Sequence, residues 1–229
     1  MTSPLAGLPL RYLIGCDSDP HPELQAGTVT ELGFGIGPQH GLSIAYGNFL
    51  CQHSERDCGP YLDREGTAAD YGEDVPDPSK LGFDKNLRLQ FQLARSQGHK
   101  YVELDNPDDE HFSIDDIIRG VELAAQFGLG VIAKNPGLLP DCIKYVVHPN
   151  IFGSIVEKGA GSPADMHALR VKSGKPTLPV WFVFFGRAKP IAQECVRAIE
   201  AGDYRNMGVT YSSAGEYGSS TDVLLPVSA

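Results

Sequence analysis

Tyr101-Val102-Glu103-Leu104-Asp105-Asn106-Pro107-Asp108-Asp109 is an apolar-alternating run that stops abruptly in carboxylates. Val102 and Leu104 alternate with Tyr101, Glu103 and Asp105, which is the period of a β-strand, and Pro107 has no amide for a further ladder. A strand therefore delivers Asp105 and Asn106 to its own C-terminal end, with Glu103 on the same face one layer deeper. In parallel α/β folds ligands sit at that end, because the loops there vary while sheet and helices hold them still.

Outward from this stretch the same pattern recurs. Upstream, Phe83, Leu87, Phe91 and Ala94 follow helical spacing and Gly98 closes the helix. Downstream, Ser113 caps a helix over 114–127, and Leu129–Ala133 is a strand ending in Lys134-Asn135-Pro136. A short helix over 140–145 leads to the strand Ile151–Val156, which ends in Glu157. A helix over 164–173 precedes the unbroken apolar strand Pro179–Phe185, and a helix over 190–201 precedes the strand Met207–Tyr211, which runs towards Glu216. The N-terminal third reads as strands at 11–16, ending in Asp17-Ser18-Asp19-Pro20, at 28–37 and at 42–49. The last two lie too close for a crossover helix, so a barrel is expected to be irregular there. The leading architecture is one (β/α)8 TIM-like barrel over 1–229, with an open doubly wound sheet as the alternative. The polar stretch 51–81, rich in Gly, Pro and Asp, is expected to lie as a long irregular loop over the strand C-terminal face.

Composition narrows the partners. A formal net charge of −10 disfavours binding to nucleic acid or an anionic membrane surface, and no apolar run is long enough to span a bilayer. No basic segment precedes a long apolar run at the start, so no secretory leader is read and a cytoplasmic protein is expected. Cys16, Cys51, Cys58, Cys142 and Cys195 lack paired or zinc-ligand spacing and read as reduced thiols, with a small Cys51–Cys58 disulfide loop as the alternative for an exported protein. The histidines form no zinc motif and no serine nucleophile elbow is present, so neither cofactor nor metal is expected. Asp17 and Asp19, with Asp108 or Asp109, are the one oxygen set that could serve a hard cation, without a fixed spacing to support it.

Stacking the strands in parallel gathers Asp17, Asn48, Glu103, Asp105, Asn106, Lys134, Asn135, Glu157 and Glu216 at one end, with Tyr46 and Tyr211 as aromatic candidates for a sugar ring. Carboxylates at the ends of different strands can do acid/base work when one is kept protonated and the other ionised, which is the arrangement glycoside cleavage requires.

The segment from about Asn86 through Phe185 resembles glycoside hydrolase family 114, the endo-α-1,4-polygalactosaminidase-like (β/α)-barrels. Arg88-Leu89-Gln90-Phe91-Gln92-Leu93-Ala94 resembles the helix before the family's central strand, and Glu103-Leu104-Asp105-Asn106 resembles its E-P-D-N. Gly128-Leu129-Gly130-Val131-Ile132-Ala133-Lys134-Asn135 resembles its G-L-x-(V/I)-x-x-K-N. Glu157 then stands where the family has its second acid, and Tyr46-Gly47-Asn48-Phe49 is the best match to its aromatic third-strand end. Pro107 and Val156 depart from the pattern. The resemblance implies Asp105 and Glu157 as a catalytic pair, with Asn106, Lys134 and Asn135 shaping a sugar site. The function it implies is hydrolysis of an α-linked, amino-sugar-containing glycan; the alternative is an inactive barrel that binds carbohydrate or a protein partner.

Overall fold

A computed structural model describes residues 3–13, 26–31, 43–52, 61–62, 73–157, 159–213 and 223–224. Three strands come first, β1 (Leu10–Leu13), β2 (Gly27–Glu31) and β3 (Ser43–Asn48). Three short strands follow, β4 (Cys51–Gln52), β5 (Tyr61–Leu62) and β6 (Glu73–Pro76), and they pair antiparallel in a small separate sheet. The stretch 51–81 thus carries a sheet of its own, which its polar composition did not announce.

Regular alternation then sets in: α1 (Leu81–Ser96), β7 (Tyr101–Asp105), α2 (Ile114–Gln126), β8 (Gly130–Lys134), α3 (Cys142–Val147), β9 (Ile151–Glu157), α4 (Pro163–Lys172), β10 (Val180–Phe185), α5 (Lys189–Ala201), β11 (Met207–Ser212) and β12 (Val223–Leu224). The helices begin and end where local chemistry dictates. Ser113 and Ser162 each accept from the backbone amide three residues on, and Asp116 and Asp165 reach back to complete capping boxes. Gly98, Gly128 and Gly174 take positive φ after α1, α2 and α4, a conformation side chains resist.

The sheet order is β1-β2-β3-β7-β8-β9-β10-β11-β12, parallel throughout except for β12, which pairs antiparallel with β11. The eight parallel strands form a nearly closed barrel with flanking helices. β1 comes round to β11, and Thr210 Oγ1 donates to the Leu10 carbonyl across the seam at 3.1 Å. The open-sheet alternative is therefore set aside. The N-terminal expectation is corrected in part: β2 and β3 are both barrel strands, adjacent and parallel, and β2 ends at Glu31 rather than running on to residue 37.

Leu10, Tyr12, Val29, Ile44, Tyr101, Ile132, Ile155, Trp181 and Val183 fill the barrel, with Leu5 from the N-terminal segment among them. Each such buried side chain contributes about 1.5–3 kcal/mol. Trp181 belongs to this core, its indole N–H donating to the Leu8 carbonyl at 3.0 Å. Outside, Val102, Leu104, Val131 and Ala133 pack under α1 and α2, while Val180, Phe182, Phe184 and Val209 pack with Ala192 and Cys195 of α5. Among the described residues no helix is long and apolar enough to cross a membrane, and Cys142 and Cys195 are free thiols.

Candidate active site

Two strand ends are built alike. β7 closes with Asp105-Asn106-Pro107 and β8 with Lys134-Asn135-Pro136, and both asparagines take left-handed backbone, φ 54° and 42°. Asparagine tolerates that region better than other side chains, so each strand turns sharply after its last inward residue and leaves it pointing into the barrel mouth. After β8, Pro136 opens a short 3-10 turn in which Gly137 lies so close to the Ala160 carbonyl that a Cβ there would approach it to 2.6 Å. The loops after β8 and β9 are thereby held together.

Lys134 stands at the centre. Its side chain is 4 % exposed, and the ammonium lies 2.8 Å from Glu157 Oε1, 3.0 Å from Glu103 Oε1 and 3.4 Å from Asp105 Oδ1. Burial alone would lower its pKa, but the three carboxylates override that and hold it well above the ordinary lysine range. Because Asp105 and Glu157 flank one nitrogen, their facing oxygens are at most about 6 Å apart, the sum of the two distances.

Each acid has its own surroundings. Asp105 Oδ2 accepts from the Tyr46 hydroxyl, and Oδ1 accepts from the Asn106 amide at 2.9 Å. Burial and then the Asp105 charge push the Tyr46 phenol far up, so it remains a donor. Glu157 Oε2 accepts from Asn135 Nδ2 at 3.1 Å, while the Glu157 amide donates to Asn135 Oδ1 at 2.8 Å, a reciprocal clamp. Glu103 is wholly buried below the pair, where Tyr12 donates to its Oε2 at 3.2 Å. Burial raises Glu103 to about 7 against the pull of Lys134, with the Asp105 charge helping.

The strand-end residues divide accordingly. Tyr46, Glu103, Asp105, Lys134, Asn135 and Glu157 come together in one cluster. Asn106 touches it only through its amide: its side chain donates to Asn48 Oδ1 at 3.0 Å. Asn48 is buried and works as a brace, its backbone held from both sides by Gln90 at 2.7 and 2.8 Å. Tyr211, taken from sequence as a sugar-ring contact, faces the other way: it packs on the outer side of the barrel and donates to the Gly186 carbonyl at 2.6 Å. Asp17, Asp19 and Glu216 lie outside the described residues. Among the described residues no cluster of histidine, cysteine or acidic side chains is disposed to hold a metal ion.

Sequence reading missed Tyr12, Asn86 and Gln90. A signal existed for the last two, since Asn86 and Gln90 interrupt the apolar stripe of α1 at helical spacing; both are buried, and both hold the end of β3. Tyr12 sat unmarked in a short apolar run.

No protein-family model matches the chain, and no curated protein matches it. Solved structures do. Ega3 from Aspergillus fumigatus, determined in complex with galactosamine, superposes with a TM-score of 0.64 at 14% identity, covering 94% of this chain and 95% of that one. The glycoside hydrolase domain of PelA from Pseudomonas aeruginosa gives 0.57 at 15% identity, covering 92% and 98%. The chain therefore shares the fold of these proteins over nearly its whole length.

Proposed function

We propose that this protein is a glycoside hydrolase that cleaves an α-linked, galactosamine-containing polysaccharide by a retaining two-carboxylate mechanism. The observation that carries the reading is the Asp105–Glu157 pair at the barrel mouth, with facing oxygens at most about 6 Å apart across Lys134. That spacing suits retaining enzymes, where the carboxyls lie about 5–5.5 Å apart, better than inverting ones, which need about 6.5–9.5 Å for a water between them. The shared fold with Ega3 and the PelA domain and the resemblance to glycoside hydrolase family 114 support the same class. The galactosamine in the Ega3 complex supports the sugar, and the net charge of −10 favours a cationic, partly deacetylated chain.

Asp105, which accepts from Tyr46 and the Asn106 amide and faces Lys134, serves as nucleophile. Its oxygen bonds to the anomeric carbon while Glu157 gives its proton to the departing glycosidic oxygen. Glu157 then takes a proton from water as that water attacks the same carbon and frees Asp105. The Glu157 side chain is more open, 31% exposed against 19% for Asp105, as a group that exchanges protons with substrate and water must be.

Hydrolysis of a partly deacetylated α-1,4-linked galactosamine polymer tests this. Asp105→Asn and Glu157→Gln are each expected to lower kcat by at least about a hundredfold, with product released as the α-anomer by proton NMR. Unchanged hydrolysis in both variants would overturn the assignment, and a wild-type protein that binds the polymer without cutting it would identify a binding barrel.

A further inference from the structure

Glu157 faces a conflict that its proposed role makes plain. A general acid must carry a proton, yet an ammonium 2.8 Å away favours the ionised carboxylate. The resolution lies one layer down. Three carboxylates surround one ammonium, and when all three are ionised the cluster carries an excess of two negative charges, shielded from water on the Glu103 side. One added proton removes half of that excess.

We propose that Glu103 is a positioning residue for Glu157, joined to it through Lys134 so that the two carboxyls share one proton. The inference rests on the glycosidase reading for its use in catalysis but on geometry for its existence. Glu103 Oε1 and Glu157 Oε1 lie 3.0 and 2.8 Å from the same Nζ, so they are at most about 6 Å apart. Two carboxylates at that distance on one ammonium, one of them wholly buried, do not ionise independently. Such a pair loses its protons in two steps that belong to both groups.

Other groups around Glu103 fix where the proton rests. Tyr12 of β1 donates to the ionised form, and Lys134 of β8 favours it. Asp105 of β7 and Glu157 of β9 oppose it, and complete burial opposes it most. Tyr46 of β3 and Tyr145 of α3 also feel its charge, and both phenols stay protonated. Once Glu157 has given the shared proton to the departing oxygen, both carboxyls are ionised and face the one Lys134 ammonium until Glu157 takes a proton back from water. With Glu103 ionised, Lys134 is drawn down and Glu157 can hold a proton to higher pH.

Carbon-13 NMR titration of the side-chain carboxyls in the full chain reads this directly, with Glu157→Gln to assign the resonance. Glu157 is expected to titrate in two steps, and Glu103→Gln to leave one step, the upper one gone. The basic limb of kcat/KM on the galactosamine polymer should then move to lower pH by more than about half a pH unit, a threefold change in proton affinity. Tyr12→Phe touches neither proposed catalytic residue and removes a donor from ionised Glu103, so it should move the upper step to higher pH. It also serves as the reading should Glu103→Gln fail to fold. A single Glu157 step at one pH in wild type and Glu103→Gln, or an upper step that Tyr12→Phe leaves in place, would overturn the proposal. Two-step titration in a wild-type protein that cuts no glycan would support the shared proton and overturn the glycosidase reading instead.

Discussion

Asn106 and Asn135 end neighbouring strands in the same left-handed conformation, each followed by proline, yet they do different work. Asn135 turns its side chain inward and grips Glu157 with both its amide nitrogen and its oxygen. Asn106 turns its side chain sideways to Asn48 and offers Asp105 only its backbone. One local sequence device therefore places two acids by two routes. Asp105 is fixed by the course of its own strand and by Tyr46; Glu157 is fixed by a side chain from the next strand over. The site thus depends on the β8–β9 contact for one acid and on the β3–β7 contact for the other.

The change with the largest expected effect erases the difference between the two routes. Lys134 belongs to both acids, so Lys134→Met should abolish measurable hydrolysis and lower stability at neutral pH by about 3–5 kcal/mol, since it strands buried carboxylates without a counter-charge. Chemical denaturation and activity on one preparation check this, and a variant as stable as wild type would show that the acids do not need their shared cation.

The next effect separates the floor of the site from its rim. Glu103 binds its proton more tightly in the folded chain, at about 7 against an ordinary 4.5. Folded protein therefore holds the proton where unfolded chain has lost it. Stability should be highest below about 4.5 on this account and fall as pH rises to about 7, by on the order of 3 kcal/mol. Glu103→Gln should flatten that fall, and an equal slope in wild type and variant would sink the claim.

The smallest effects sharpen the comparison itself. Glycine keeps the left-handed backbone at either position, so Asn135→Gly and Asn106→Gly isolate the side chains. Asn135→Gly should lower kcat by roughly 10–100-fold and cost about 2–3 kcal/mol, having lost two bonds to Glu157. Asn106→Gly should cost about 1 kcal/mol and change kcat less than about threefold, having lost only the tie to Asn48. Equal losses of activity would mean that the two asparagines are used alike.

From α1 onward the alternation was legible from local signals: apolar runs for strands, stripes for helices, the Ser113 cap before α2 and glycines after the helices. The N-terminal third lacked those signals. Strands β2 and β3 pair through a ladder that sequence spacing argues against, and nothing in the polar stretch 51–81 marks β4, β5 and β6 as partners. The acids at strand ends were visible because alternation and a stopping proline both pointed to them. Tyr211 was misread for a physical reason: β11 is buried on both faces, so its alternation does not say which set of side chains faces inward. Thr210 and Ser212 alternate with Tyr211, which packs outside with Val209. Lys134 was legible as a strand-end residue of the site, but its central place among three acids depends on the register of β7, β8 and β9, which no single segment encodes.

The barrel seam has a consequence of its own. Among the described residues no ladder joins β1 to β11; a single hydroxyl from Thr210 reaches the Leu10 carbonyl, and β12 occupies the β11 edge that faces β1. A strand tied into the sheet on one side only opens locally at lower free energy than its neighbours, and β1 is such a strand. It is also the strand that carries Tyr12. Tyr12, the donor to Glu103, thus stands on the strand held by one ladder, whereas Asp105, Lys134 and Glu157 stand on strands paired on both sides.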